Sequence, residues 1–159
     1  MGFIGVQIAT MLKEHGFSVS TWSRSNRSVL GIASHTTAAK LDELLSRADF
    51  VLSILPEMPS TRQLFDASKF KLFRQDCAFA NSAVNQDDLL QAIARGRLHS
   101  AYLNVFETEP LPWFSPLWSN QKVVITPHAG GGLGTSEDSL VQVPSIMGVS
   151  SGTSPWKTR

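Results

Sequence analysis

Apolar positions along the chain switch between the period of a helix and the period of a strand. Over residues 3–15 they recur every three or four positions, which predicts a helix that ends near Gly16. Residues 50–55 form a nearly continuous apolar run that stops at Pro56, as a strand buried on both faces does. The same patterns predict further strands at residues 17–23, 77–81, 99–105 and 123–126, and further helices at residues 41–45 and 87–96.

The alternation of helices and strands predicts an α/β fold around a mainly parallel sheet. We expect one domain over residues 1–143, because 159 residues suffice for a single sizeable core. Residues 144–159 are rich in Ser, Gly and Thr and show no periodicity, so we expect them to be disordered. Trp113 and Trp118 flank a short turn, and we expect both to pack against the domain.

Composition narrows the class of protein. Hydrophobic residues make up 42% and charged residues 17% of the chain, and the net charge is +1. No run of basic residues indicates a nucleic-acid or membrane surface, and no apolar run reaches the roughly 20 residues of a membrane span. The N-terminus lacks the pattern of a signal peptide, so we expect a cytoplasmic protein that binds neither nucleic acid nor membrane.

The single cysteine, Cys77, excludes a disulfide within the chain. It lies in an apolar, strand-like run, and we expect a buried thiol. The four histidines show none of the spacings that are typical of a metal site, so we predict no metal.

Gly2-Phe3-Ile4-Gly5 matches the second half of the glycine-rich turn that binds the pyrophosphate of a dinucleotide. The first glycine of that turn and the strand before it do not occur in the sequence, so these two glycines alone are weak evidence. The helix and strand that follow strengthen the prediction, because such a strand ends about twenty residues further on, here at Ser23.

The residues after that strand bear on the choice of cofactor. An NAD site generally has an acidic residue there, which hydrogen-bonds the ribose 2′-hydroxyl. Here the segment reads Ser23-Arg24-Ser25, with Arg27 close by. Hydroxyl and guanidinium groups suit a 2′-phosphate, so we predict that NADP(H) is favoured over NAD(H). Ordinary surface arginines are the alternative.

Two strand-like segments near the end of the domain carry candidate chemistry. The first runs through Asn104 to Glu109 and Pro110, and the second ends at Pro127 and His128. An imidazole oriented by a carboxylate delivers a proton near neutral pH, as the reduction of a carbonyl requires. A carboxylate of the first segment and the imidazole of His128 are therefore candidates for such chemistry.

These segments, together with Asn81-Ser82-Ala83 and the acidic start of the next helix, resemble the cofactor-binding domain of D-isomer-specific 2-hydroxyacid dehydrogenases. Within that family the glyoxylate/hydroxypyruvate reductases look most similar, and the resemblance runs from Gly2 to about Ala129. It implies a Rossmann-like, doubly wound parallel sheet, which we expect to lack its first strand here. It also implies that His128 donates the proton and that Glu109 orients it. Further cofactor contacts are implied at Leu55, Pro56, Thr61, Ala83, Asn104 and Gly130.

Three departures from the family pattern bear on activity. The arginine that follows Asn81-Ser82-Ala83 in the family is deleted, Asn104 stands in place of an aspartate, and the separate substrate domain has no counterpart. Without a first strand, its two neighbours either pair directly or leave buried backbone groups unpaired, which predicts a marginally stable chain.

Two functions fit these observations. The first is the NAD(P)H-dependent reduction of a 2-oxoacid such as glyoxylate or hydroxypyruvate, which we expect to be impaired in this chain. The second is a non-catalytic, truncated remnant that at most binds NADP(H) or a full-length paralogue. In this family the cofactor domain carries the dimer contact, so the resemblance also implies a dimer.

Overall fold

The computed structural model describes residues 2–23, 31–55, 61, 64–80, 84–126 and 145–150. Its elements follow in the order α1 (Phe3–Glu14), β1 (Ser18–Trp22), β2 (Ala33–His35), α2 (Ala38–Arg47), β3 (Phe50–Ile54), α3 (Ala67–Phe70), β4 (Cys77–Ala80), α4 (Gln86–Ala94), β5 (Leu98–Leu103), β6 (Val123–Ile125) and β7 (Ser145–Ser150). A 3-10 helix, Pro116–Ser119, precedes β6. Every helix within the described residues is too short or too polar to serve as a membrane span.

The strands form one sheet in the order β2-β1-β7-β3-β4-β5-β6. β7 is antiparallel to both of its neighbours, and all the other strands run in one direction. The sequence prediction of an α/β, Rossmann-like, mainly parallel sheet is thereby confirmed.

Local signals in the sequence explain where the longer helices start and stop. Gly16 takes a φ of +83° in the turn that follows α1, a conformation that favours glycine. The Thr37 side chain caps α2 by accepting a hydrogen bond from the Lys40 amide at 3.3 Å. Asn85 caps α4 in the same way, with the Asp88 amide as donor at 3.0 Å. The predicted helices are therefore confirmed, with small shifts at their ends.

The main core lies between the sheet and the helices α2 and α4. Four phenylalanines form its centre, with ring centroids 5.0 to 6.5 Å apart: Phe65, Phe70, Phe73 and Phe79. Cys77 is buried in the same core, as predicted, and burial raises the pKa of its thiol from 9.0 to about 12. The expectation for Trp113 and Trp118 is wrong, because their side chains are 89% and 54% exposed.

The structure also corrects the expectation of a disordered tail from residue 144, because residues 145–150 form β7. This strand lies between the second and fourth strands of the doubly wound order, where the first strand belongs. It pairs with β1 from Ser18↔Ser150 to Trp22↔Ile146, and with β3 over five residues as well. The position expected to be empty is thus filled, and the sheet extends beyond the boundary expected at residue 143. Residues 151–159 lie outside the described part of the chain.

Packing on the two faces of β7 explains how this strand fits into the sheet. Met147 is fully buried and joins a second hydrophobic cluster with Ala9 of α1 and Val19 of β1. Gly148 points to the opposite face, where α2 approaches closely. A Cβ atom at Gly148 would lie 2.7 Å from Cδ2 of Leu44, closer than van der Waals contact allows. A small residue at this position therefore lets α2 pack directly on the sheet.

Candidate functional site

Parallel strands bring their carboxyl ends to one edge of a sheet, and ligands of doubly wound folds bind outside that edge. Ser23, Leu55, Asn104 and Thr126 directly follow β1, β3, β5 and β6. We call the edge marked by these residues the carboxyl edge. Three residues predicted to contact the cofactor, Ser23, Leu55 and Asn104, therefore come from separate strands to one edge of the sheet.

The N-terminus of α1 also lies at the carboxyl edge, because α1 runs back to the turn at Gly16 from which β1 starts. The amide groups of a helix's first turn have no partner within the helix and attract anions. Gly2 is the N-cap residue and brings no side-chain hydrogen bond, and the first turn contains no acidic residue. Gly5 is buried, whereas Phe3 and Ile4 are exposed. This helix end can hold an anionic group such as a pyrophosphate.

The end of β1 is fixed by hydrogen bonds to β2. The Ser23 amide donates to the His35 carbonyl oxygen at 2.9 Å, and the hydroxyls of Thr21 and Ser34 lie 2.9 Å apart. The Ser23 side chain is buried. Arg24, Ser25 and Arg27, which the sequence analysis assigned to a 2′-phosphate, lie outside the described residues.

The end of β3 leads towards the next predicted contacts. Leu55 is half-buried and packs against the main core. Thr61 is buried, and its carbonyl oxygen accepts a hydrogen bond from the Leu64 amide at 3.1 Å. Pro56 lies outside the described residues.

The loop after β5 holds one predicted cofactor contact and one predicted catalytic residue. The amide oxygen of Asn104 is buried and has no hydrogen-bond partner within the described part of the chain. The Glu109 side chain is exposed, and its Oε1 accepts a hydrogen bond from the Phe106 amide at 3.1 Å. This contact fixes the carboxylate against its own loop.

The loop after β6 begins beside the end of β5. The Thr126 amide donates to the Leu103 carbonyl oxygen at 2.9 Å. Thr126 is therefore anchored next to the residue that precedes Asn104. His128, Gly130 and Ala83 lie outside the described residues.

Sequence reasoning missed β7, whose amino end reaches the same edge. Ser145 lies opposite Ile54, and Ile146 lies opposite Trp22. A four-residue apolar run between two serines, Ile146 to Val149, was the available signal. Within the described residues, no three His, Cys, Asp or Glu side chains come together in a way that would hold a metal ion.

Comparison with known proteins shows to which family the chain belongs. The model of the D-isomer specific 2-hydroxyacid dehydrogenase NAD binding domain matches residues 1–130. Glyoxylate/hydroxypyruvate reductase A of Citrobacter koseri is 35% identical over 131 residues, which cover 80% of this chain and 42% of the relative. The chain thus spans less than half the length of this curated relative.

Solved structures agree with the sequence match. The NADPH-dependent glyoxylate/hydroxypyruvate reductase of Sinorhizobium meliloti, in complex with NADP and sulfate, superposes with a TM-score of 0.76 at 36% identity, over 81% of this chain and 43% of that one. A D-isomer specific 2-hydroxyacid dehydrogenase of Xanthobacter autotrophicus, in complex with NADPH and MES, gives 0.74 at 34% identity, over 79% and 53%. The chain belongs to the D-isomer-specific 2-hydroxyacid dehydrogenase family and corresponds to its NAD-binding domain.

Proposed function

We propose that this chain binds NADP(H) at the carboxyl edge and serves as the cofactor-binding part of a reductase for small 2-oxoacids such as glyoxylate or hydroxypyruvate. The observation that supports this most directly is the convergence of four strand ends and the N-terminus of α1 at one edge. The first-turn amides of α1, with Gly2 and Gly5, would hold the pyrophosphate. Leu55, Pro56 and Thr61 would pass beside the adenosine half.

NADP(H) is favoured over NAD(H) in this proposal because no acidic residue stands at the end of β1. Ser23 is held at the carboxyl edge, and Arg24, Ser25 and Arg27 follow it directly. Guanidinium groups pair with a phosphate through charge-assisted hydrogen bonds. Two structures of relatives that contain NADP or NADPH also support this choice.

Asn104, with Ala83 and Gly130, would lie beside the nicotinamide. The Asn104 amide oxygen, which is buried without a hydrogen-bond partner among the described residues, favours a donor group from a ligand, because an unsatisfied buried acceptor costs about 1–3 kcal/mol. The nicotinamide carboxamide has such a donor in its amino group. When bound, the reduced cofactor supplies the hydride that reduces the carbonyl carbon.

His128 would protonate the carbonyl oxygen of the substrate, and Glu109 would hold the imidazole and favour its charged form. The hydrogen bond from the Phe106 amide fixes the Glu109 carboxylate for this positioning role. The family pattern has an arginine after Asn81-Ser82-Ala83 that this sequence lacks. We therefore propose that the chain by itself turns over 2-oxoacids poorly or not at all, and that cofactor binding, or association with a full-length paralogue, is what it retains.

We propose that the turn around the 3-10 helix binds a second copy of the chain. Trp113 and Phe114 stack edge to face with ring centroids 5.7 Å apart and are 89% and 71% exposed. Aromatic side chains exposed together are typical of protein interfaces. We propose a dimer through this face of the cofactor domain.

A thermal-shift titration with NADPH and, separately, NADH tests the cofactor proposal. A ligand that binds only the native state raises the melting temperature by an amount set by its concentration over its affinity. We expect a larger shift with NADPH, and loss of that preference in Arg24→Ala/Arg27→Ala. Arg95→Ala, which removes an exposed arginine from the C-cap of α4, is the matched control and should behave like the unchanged chain. No shift with either nucleotide contradicts the proposal.

A measurement of substrate turnover distinguishes an active reductase from a non-catalytic, cofactor-binding chain. NADPH oxidation in the presence of glyoxylate or hydroxypyruvate, abolished by His128→Asn, would show that the chain is an active reductase. Binding of NADPH without turnover would support the non-catalytic function.

A further inference from the structure

The described residues leave one side of the sheet uncovered at β5 and β6. Leu52, Ala80, Tyr102 and Val124 lie opposite one another in a row across β3, β4, β5 and β6. Leu52 packs against the cluster beneath α1, so the row lies on the α1 side of the sheet. Towards the other end of the row, Tyr102 and Val124 are each 46% exposed. We call the surface around these two side chains the open face.

The open face lacks the cover that a parallel sheet generally has, because such sheets are buried on both sides. The opposite side of the same strands is covered, since Leu103, Val123 and Ile125 belong to the main core or pack against it. Apolar side chains that are exposed together mark a site of interaction with another molecule. The open face is therefore a candidate docking surface.

An exposed apolar element lies next to the open face along the chain. We call Trp113 and Phe114, with the 3-10 helix Pro116–Ser119 that follows them, the aromatic turn. It precedes β6, the strand that carries part of the open face. The Trp118 Nε1 donates a hydrogen bond to the Pro112 carbonyl oxygen at 2.9 Å and so holds the two ends of the turn together. A turn that is fixed before binding loses little conformational freedom when it docks.

We infer that the aromatic turn of one copy of the chain docks on the open face of a second copy, and the reverse, in a two-fold symmetric dimer. The inference rests on the proposed dimer and identifies the surface that receives the turn. Both surfaces border β6, which is the edge strand of the sheet. A two-fold axis beside β6 therefore places each turn opposite the open face of the other copy, and the assembly closes at two copies.

Charge complementarity supports a second copy as the occupant of the open face. Residues 104–121, which include the aromatic turn, contain Glu107 and Glu109 but no lysine or arginine. Lys122 is exposed and stands two residues before Val124, which places it on the same side of the sheet. Each contact therefore brings an acidic segment to a basic margin, and opposite charges across an interface favour the correct pairing.

The size of the two contacts is sufficient for a stable dimer. An aromatic side chain buries about 150–250 Å² when it enters an interface, and a symmetric dimer buries Trp113 and Phe114 of both copies. Together with the faces that receive them, these side chains remove on the order of 1,200 Å² from water, which reaches the range of specific interfaces.

Subunit mixing tests whether the turn pairs with the open face. The turn variant is Trp113→Ser/Phe114→Ser, and the face variant is Tyr102→Ser/Val124→Ser. Leu72→Ser, which changes an exposed apolar residue outside both surfaces, is the matched control. Circular dichroism checks that each variant is folded, and sedimentation equilibrium measures its dimer dissociation constant.

The dissociation constant should rise at least about tenfold in the turn variant and in the face variant, and should not change in Leu72→Ser. An equal mixture of the turn and face variants should dimerise more tightly than either alone, because the intact turn of one still fits the intact face of the other. A mixture that dimerises no better than its components overturns the inference. A face variant that dimerises like the unchanged chain also overturns it and leaves the proposed dimer intact. An unchanged chain that stays monomeric overturns both.

A charge exchange gives a second measurement that leaves both apolar surfaces intact. Lys122→Glu and Glu107→Lys should each weaken the dimer, because each places like charges across both contacts. The two changes combined in one chain should restore the dimer, since the acidic and basic sides are then exchanged. A combined variant that is weaker than both single variants overturns the inference.

Discussion

Replacing Met147 with alanine should destabilise the protein, because β7 contributes this side chain to the cluster beneath α1. Met147 is 0% exposed and packs with Ala9, Val19 and Ile32. Truncation of a buried methionine to alanine costs about 2–5 kcal/mol, since the apolar contacts are lost and a cavity remains. Domains have a free energy of unfolding of only about 5–15 kcal/mol. At roughly 2–4 °C per kcal/mol for a chain of this length, the melting temperature should fall by roughly 4–20 °C.

Met11→Ala provides the matched control. Met11 lies in the middle of α1, and its side chain is 51% exposed. Substitutions of exposed residues generally change stability by less than about 0.5 kcal/mol. Both variants are unfolded in urea and followed by tryptophan fluorescence. Trp22 is a suitable reporter, because it lies opposite Ile146 of β7 and its Nε1 donates a hydrogen bond to the Thr37 carbonyl oxygen at 2.9 Å.

The expected result is a lower urea midpoint for Met147→Ala and an unchanged midpoint for Met11→Ala, with equal slopes for both transitions. Equal midpoints for the two variants would refute the placement of β7 in the sheet. Residues 145–150 would then contribute nothing to the core, as the composition of the tail suggests.

Three further outcomes follow from the structure. Burial raises the pKa of Cys77 to about 12, so iodoacetamide should modify this thiol only in urea, and alkylation of the native protein would contradict this expectation. The thiol of the unfolded chain ionises near 9.0, so the free energy of unfolding should also fall as the pH rises above 9.0. The Ser68 hydroxyl donates to Asp66 and lowers the pKa of its carboxyl below 3.8, so Asp66→Ala should lower stability by about 1 kcal/mol at neutral pH and by less below that lowered pKa, in urea titrations at both pH values. Trp113→Ser/Phe114→Ser should convert a dimer to a monomer in light scattering, and an unchanged mass would place the dimer contact elsewhere.

Most strands and helices could be predicted from the sequence because their signals are local. The apolar run of β3 and the capped, periodic helices α2 and α4 need no knowledge of the partner elements. β2 and α3 have three and four residues, too few for a period to emerge. β7 escaped prediction for another reason: its partners, β1 and β3, lie about a hundred residues earlier in the chain, and its glycine and serines are typical of a loop until α2 is seen to approach Gly148.

The candidate site could be predicted as a set of residues but not as a geometry. Sequence spacing puts Ser23, Leu55 and Asn104 after strands, and parallel strands bring such residues to one edge. Spacing does not reveal that the Asn104 amide oxygen is left without a partner within the described residues, or that the Phe106 amide holds Glu109. Both features depend on the path of the loop after β5.

The direction of β7 distinguishes this fold from the usual nucleotide-binding fold, in which the central strand is parallel to its neighbours. A strand in the centre of the sheet is required, because an empty position would leave two rows of buried backbone groups unpaired, each group at a cost of about 1–3 kcal/mol. An antiparallel strand satisfies those groups as well as a parallel one, and β7 pairs over five residues on each side. The pairing at the centre of the sheet is therefore independent of the direction of this strand. The crevice is not independent of it: a parallel strand delivers its carboxyl end to the helix that holds the pyrophosphate, whereas β7 brings an amino end to that point.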